Sequence, residues 1–305
     1  MPKSKVYFTH DISPLGLARA YDALQNPAHG RVAVKISTGE PGGHNYLKPE
    51  LIGDFVKSVK GTITEANTAY TGKRFTTADH LRAAADHGFT KIADVDIMDA
   101  DGEMELPIER GLVIKKNFVG SHFKNYDFWV ILSHFKGHMM GGFGGALKNV
   151  AIGIASGAGK AWIHSGGRTR DTAGDIWSTP QNTFLESMAD AVASVVDSVD
   201  PSPQNGAEAN AKNMIYINVL NNLSIDCDCD AHPADPEMAD IGIMASLDPV
   251  ALDRASVDAV YESKDPGKKH LIERIEKLNG THILTAAEQL GVGVQSYEIV
   301  DLDKK

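Results

Sequence analysis

The chain has 305 residues, 42% hydrophobic and 23% charged, which is enough apolar material for one large core or two modest ones and excludes disordered and fibrous classes. Lys and Arg total 30 against 40 Asp and Glu, a formal net charge of −10, so a broad phosphate-binding face for nucleic acid or an anionic membrane is not expected. No run reaches the roughly 18–20 apolar residues of a membrane span, and the opening MPKSKVYFTH holds no apolar signal segment; a cytoplasmic protein is expected.

In chain order the pattern predicts a strand at Lys5–Phe8, a helix over Leu15–Leu24 that stops near Pro27, a strand at Val32–Ile36 and a helix over Pro49–Val59. A strand at Thr62–Thr64, a helix over Thr77–His87, an irregular insertion over Asp94–Arg110 and strands at Leu112–Ile114 and Phe128–Leu132 follow. The second half reads as a helix over Thr183–Val196, strands at Met214–Val219 and Ile241–Ala245, helices over Pro249–Tyr261, Lys269–Leu278 and Leu284–Leu290, and a last strand at Tyr297–Val300. Thr77 and Asp248 suit N-caps, and Pro49 and Pro249 suit first turns. Strands separated by helices predict an α/β fold with a mostly parallel sheet, or sheets, and helices on both faces. Residues 1–305 read as one domain, with room for sub-lobes 1–200 and 213–305 joined by a polar linker near 197–212.

Chemistry concentrates between His134 and Gly167. Ten of the chain's 29 glycines lie from Gly137 to Gly167, just beyond the apolar strand YDFWVILS, where ligands bind in open α/β sheets. Glycine at this density marks backbone that turns with positive φ or approaches a ligand closely. His134, His138 and His164 and Lys136, Lys148 and Lys160 lie in the same segment. Each alone has an ordinary reading as a solvated loop side chain; together they argue for a site. No phosphate-loop or dinucleotide fingerprint fits, since Lys148 is flanked by Leu147 and Asn149 and the third glycine of the fingerprint falls on Leu147 or Trp162. What remains is a glycine-cradled pocket of backbone N–H groups, lysine and imidazole, suited to an anionic ligand or a metal-bearing cofactor.

A second cluster is Asp226-Cys227-Asp228-Cys229-Asp230, which holds both cysteines of the chain. If extended, it places both thiols on one side and the aspartates on the other. Two thiolates on one face suit a soft or borderline metal, and neighbouring carboxylates are expected to raise the thiol pKa. A polar turn with two incidental cysteines is the alternative.

The run Ser133-His134-Phe135-Lys136-Gly137-His138, with Gly141 to Asn149, Gly153, Gly159-Lys160 and His164, resembles the family catalogued as domain of unknown function 362, many of whose members are titled iron–sulfur centre proteins. The resemblance extends to Val34-Lys35, Thr38-Gly39-Glu40, Asn67-Thr68, Tyr70, Arg74, Cys227-Asp228-Cys229 and Asp240 to Asp253, covering about residues 31–262. Relatives with clusters carry CxxC arrays; two cysteines cannot supply the four thiolates of a cubane, so a self-contained 4Fe-4S cluster is not expected. More distantly, His138, the turn at Gly142, Gly144 and Gly145, Lys148 and His164 are similar in order and spacing to nickel-pincer lactate racemases. That resemblance implies Lys148 as a cofactor tether, His164 as a metal ligand and His138 as an acid/base, with His44 as a second acid/base. Lys136, Asn149 and Lys160, in the same segment as Gly142, Gly144, Gly145 and Lys148, are further candidate cofactor contacts.

Three functions follow. One is an enzyme that uses a metal (nickel, iron or zinc) or a cofactor, acting on a small anionic molecule by proton or hydride transfer. The second is a metal or iron–sulfur-associated carrier, with Cys227 and Cys229 as ligands and a separate ferredoxin as electron source. The third is an anion-binding protein without turnover.

Overall fold

The computed structural model describes residues 3–200 and 212–304, so the linker expected near 197–212 falls mostly outside the described residues. The chain opens with β1 (Ser4–Thr9) and α1 (Pro14–Ala23), then alternates β2 (Val32–Lys35), α2 (Pro49–Ser58), β3 (Gly61–Glu65), α3 (Thr77–Asp86) and β4 (Val95–Ile97). An antiparallel pair, β5 (Glu103–Pro107) and β6 (Lys116–Gly120), precedes the strand β7 (Phe128–His134). A short hairpin of β8 (Lys136–His138) and β9 (Gly142–Gly144) leads into α4 (Ala146–Ile154) and α5 (Gly157–His164). Then come α6 (Gln181–Val199), β10 (Met214–Leu220), β11 (Gly242–Ser246), α7 (Pro249–Glu262), α8 (Lys268–Lys277), α9 (His282–Gln289) and β12 (Tyr297–Asp301).

Eight strands form one sheet in the order β12-β1-β11-β10-β7-β2-β3-β4. Only β11 runs against its neighbours; every other adjacent pair is parallel. This is the mostly parallel α/β sheet that the alternation predicts. Strands from both sides of the 197–212 segment share it. Alternate residues of β7 face opposite layers: Phe128, Val130 and Leu132 pack with Leu17, Ile52, Phe55 and Val56 of α1 and α2. Trp129 and Ile131 pack with Leu147, Val150, Val192 and Leu252 of α4, α6 and α7. Burial on both faces is why β7 reads as an unbroken apolar run.

Local chemistry fixes the element ends. Ser13 Oγ accepts the Gly16 N–H at 3.2 Å ahead of Pro14, and Asp248 Oδ1 accepts those of Val250 and Ala251 at 2.9 and 3.0 Å. The cap of α3 is Thr76, whose Oγ1 accepts the Asp79 N–H, one residue before the expected Thr77. The insertion over Asp94–Arg110 contains β4 and β5. The expected strand at Leu112–Ile114 is not formed. Its three backbone N–H groups point at the buried Asp190 carboxylate of α6, at 2.6, 2.7 and 2.8 Å, and the strand forms at β6 instead. Among the described residues no helix is long and apolar enough to cross a membrane.

The chain runs outward through β2, β3 and β4, then returns to place β7 on the other side of β2. That reversal opens a crevice beyond the carboxyl ends of the parallel strands. Asn149 braces it, its Nδ2 donating to Lys35 O of β2 at 3.1 Å and to Ser133 Oγ of β7 at 3.1 Å.

Replacing Asp190 by Ala strands three backbone donors, so Asp190→Ala is expected to lower stability by about 2–4 kcal/mol. A urea midpoint within error of wild type would refute this role.

Candidate active site

At the end of β7 the chain enters β8, and Lys136 and His138 become buried. The hairpin lies against the loop that follows β10: Gly137 N–H donates to Ser224 O at 2.8 Å, and a Cβ at Gly137 would come within 2.2 Å of Ile225 O. Only glycine permits that approach, which brings the cysteine segment to the histidine. Gly142, at φ +79°, packs against Gly280, where a Cβ would lie 2.9 Å from Cα. Gly145 precedes α4, whose first N–H groups, at Ala146 and Leu147, are taken by the buried Asp253 carboxylate at 2.8 and 2.9 Å. Those amides are therefore not available to cradle an anion.

The segment from Cys227 to Asp230 is a turn rather than an extended strand, closed by the Asp230 N–H on Cys227 O at 2.9 Å. Asp228 anchors it. Its Oδ1 is 2.8 Å from His134 Nδ1, its Oδ2 is 2.8 Å from Lys136 Nζ, and its main-chain oxygen accepts the Glu40 N–H at 2.7 Å. The flanking Cys227 and Cys229 turn their sulfurs the other way. Both sulfurs and a ring nitrogen of His138 lie within 4.8 Å of one another, and Lys148 Nζ donates to Cys227 Sγ at 3.6 Å.

These groups line one cavity of about 650 Å³, with Lys35, Lys136, Lys148, Lys160 and Arg74 in its wall and the exposed Met139 and Trp177 at its rim. Most of the positive charge is paired internally. Lys35 Nζ is 2.8 Å from Glu65 Oε2, Arg74 Nε is 2.8 Å from Glu40 Oε2, and Lys136 faces Asp228. The hydrogen bond from Cys229, then Lys148 and Lys136, hold the Cys227 thiol well below its ordinary pKa despite burial, while the same sulfur contact and burial push Cys229 up. The expectation that nearby aspartates raise both thiols is thus corrected for Cys227, because the Cys229 hydrogen bond and the lysines outweigh burial there. Burial and Lys148 keep His138 neutral by lowering its pKa. Burial likewise takes His164 down to about 3 and Lys160 to about 7.

Of the residues singled out by the sequence, Lys136, His138, Gly144, Gly145, Lys148, Asn149, Lys160, His164, Cys227 and Cys229 line this cavity. His44 does not: it is exposed and contacts Asp235 Oδ1 at 2.9 Å. Gly142 faces Gly280. His164 stacks on Phe184 at 4.7 Å between centroids, and its buried Nδ1 has no hydrogen-bond partner among the described residues. Sequence reasoning missed Glu65 as the partner of Lys35, because the predicted strand ended one residue short of it. It also missed the anchoring role of Asp228, which is visible only once His134 and Lys136 are placed.

Cys227 and Cys229 fit a soft metal ion, since thiolates are its preferred donors. His138 fits less well. Its Nδ1 accepts the N–H groups of Gly141 at 2.9 Å and Met140 at 3.2 Å, so the neutral ring carries its proton on Nε2. A ligating imidazole ordinarily donates its second nitrogen outward; this one receives there, which suits it to present a proton at Nε2.

Residues 32–258 match the family described as domain of unknown function (DUF362). No curated protein matches. Among solved structures, the lactate racemase apoprotein from Thermoanaerobacterium thermosaccharolyticum is similar at 15% identity and a TM-score of 0.47, over 85% of this chain and 57% of that one. This chain therefore spans little more than half of that protein's length.

Thiolate absorbance followed against pH is expected to show one of the two thiols ionised below the ordinary cysteine range. Lys148→Met is expected to raise that midpoint by about one pH unit. Two thiols titrating together in the ordinary range would contradict the assignment.

Proposed function

The chain belongs to the family described as domain of unknown function 362, and for it we propose a metal-assisted enzyme that moves a proton on a small anionic substrate held in the cavity. The observation that carries this reading is the meeting of Cys227, Cys229, His138 and Lys148 at one place in the wall. Lys148 has no carboxylate partner among the described residues and stabilises either the Cys227 thiolate or an incoming anion. His138 presents Nε2–H to a substrate oxygen, as a neutral imidazole can when burial lowers its pKa. Cys227, held toward the thiolate, is prepared to ligate a soft or borderline metal together with Cys229. Nickel, iron or zinc on Cys227 and Cys229 would supply Lewis-acid polarisation of a substrate oxygen. Met139 and Trp177 give the mouth an apolar rim over the charged floor. The paired sulfurs also support a second reading, a metal carrier served by a separate ferredoxin, which predicts bound metal without conversion of any small ligand.

The test is elemental analysis of anaerobically purified protein together with thermal shift against a panel of carboxylates and phosphates. Stoichiometric soft metal is expected, lost in Cys227→Ser/Cys229→Ser, with a carboxylate that binds wild type. Lys148→Met should weaken that ligand about tenfold or more, the equivalent of one charge-assisted hydrogen bond. His44→Ala should change neither property. Absence of anion binding, with metal content unaffected by the cysteine variants, would sink the enzyme reading.

A further inference from the structure

Five lysines line the cavity; apart from the exposed Lys73, three of them face an anion: Lys35 faces Glu65, Lys136 faces Asp228 and Lys148 faces the Cys227 sulfur. Lys160 is different. Buried on α5, it directs Nζ at two neutral main-chain carbonyls, Ala155 O at 2.7 Å and Ala66 O at 3.1 Å. The nearby carboxylates are engaged elsewhere. Asp99 accepts the N–H groups of Asn67 and Gly157 at 2.9 Å each, and Glu65 accepts from Lys35 and from the Thr38 N–H.

In its neutral form, which a pKa of about 7 makes accessible near neutrality, Lys160 can give two N–H groups to these carbonyls and keep its lone pair free, and the side chain borders the cavity. We propose that Lys160 is a nucleophilic lysine that forms an imine with a small 2-oxo acid bound in this pocket. The proposal rests on the anion-binding reading above and names its substrate class. The amine nitrogen bonds to the carbonyl carbon, and the carbonyl π pair moves to oxygen, which takes up the amine proton. The resulting hydroxyl leaves with a second proton as water, so amine plus ketone gives imine plus water with no redox change. Protonated, the imine draws electrons from the adjacent carbon and eases loss of its proton, which is the transfer proposed above.

The charged and titratable groups around Nζ come from several elements. Asp99 and Glu65 favour its ammonium form, Lys35 and Arg74 oppose it, and His80 and His164 also lie in its field. Desolvation outweighs them and places its pKa at about 7.

The experiment treats the full-length protein with pyruvate and sodium cyanoborohydride and maps carboxyethyl-lysine by peptide mass spectrometry. Oxamate, of the same shape but unable to form an imine, is run in parallel as a thermal-shift ligand. At neutral pH Lys160 is expected to be labelled on the order of tenfold above exposed lysines, whose ordinary pKa of about 10.4 keeps them protonated. The excess should fall as pH drops below about 7. His44→Ala, outside the cavity, should retain the label at Lys160 and Lys160→Arg should lose it. Because the adduct is mapped on wild-type protein, the result does not depend on a variant folding. Oxamate binding with no preferential label at Lys160 would overturn the imine and leave the anion site standing; no oxamate binding and no label would overturn both.

Discussion

The Asp228 carboxylate lies inside the protein between His134 and Lys136, and the geometry of the pocket depends on that arrangement. A buried carboxylate costs several kcal/mol unless it is paired and hydrogen-bonded, and here both oxygens face cationic or donor groups. His134 completes the pairing: its Nδ1 faces Asp228, and its Nε2 donates to Asn221 O at 2.6 Å. One ion cluster therefore ties the exit of β7, the start of β8 and the cysteine turn together. The flanking sulfurs are then held at the cavity wall by the turn that Asp228 anchors. Removing either His134 or Lys136 would leave the buried carboxylate short of a partner beneath the sulfurs, so the arrangement is coupled rather than a sum of separate contacts.

The same internal pairing explains how an acidic chain maintains a lysine-rich pocket. Lys35, Arg74 and Lys136 are each neutralised by a carboxylate of their own, contributed by a different strand end or loop. Their role is to build the wall. Lys148 and Lys160 have no such carboxylate partner among the described residues, and they sit on consecutive helices that the glycine-rich segment leads into.

Much of this was legible in the sequence. The strand and helix alternation, the unbroken apolar run of β7 and the crowding of His, Lys and Gly after it located both the sheet and the crevice. The glycines were read as a ligand cradle, whereas Gly137 and Gly142 serve backbone-to-backbone packing, a distinction that depends on partners 88 and 138 residues away in the chain. Leu112–Ile114 has strand composition, but Asp190, some 76 to 78 residues later, takes its donors. The meeting of Cys227 and Cys229 with His138 could not be read from spacing, because it depends on the register of β10 beside β7.

The contact between Gly142 and Gly280 joins the β8–β9 hairpin to the junction between α8 and α9, and Gln181 fastens the same place by donating to Met140 O and Leu278 O at 2.7 and 2.8 Å. The residues that match the family end at 258, within α7 and before either of those helices. A fragment cut to the matched boundaries would thus lose the back support of the hairpin that carries His138, exposing the hairpin and the faces of α6 and α7 that pack on α8 and α9. The minimal functional unit of this protein is larger than its family signature, and the C-terminal helices belong to the pocket's scaffold.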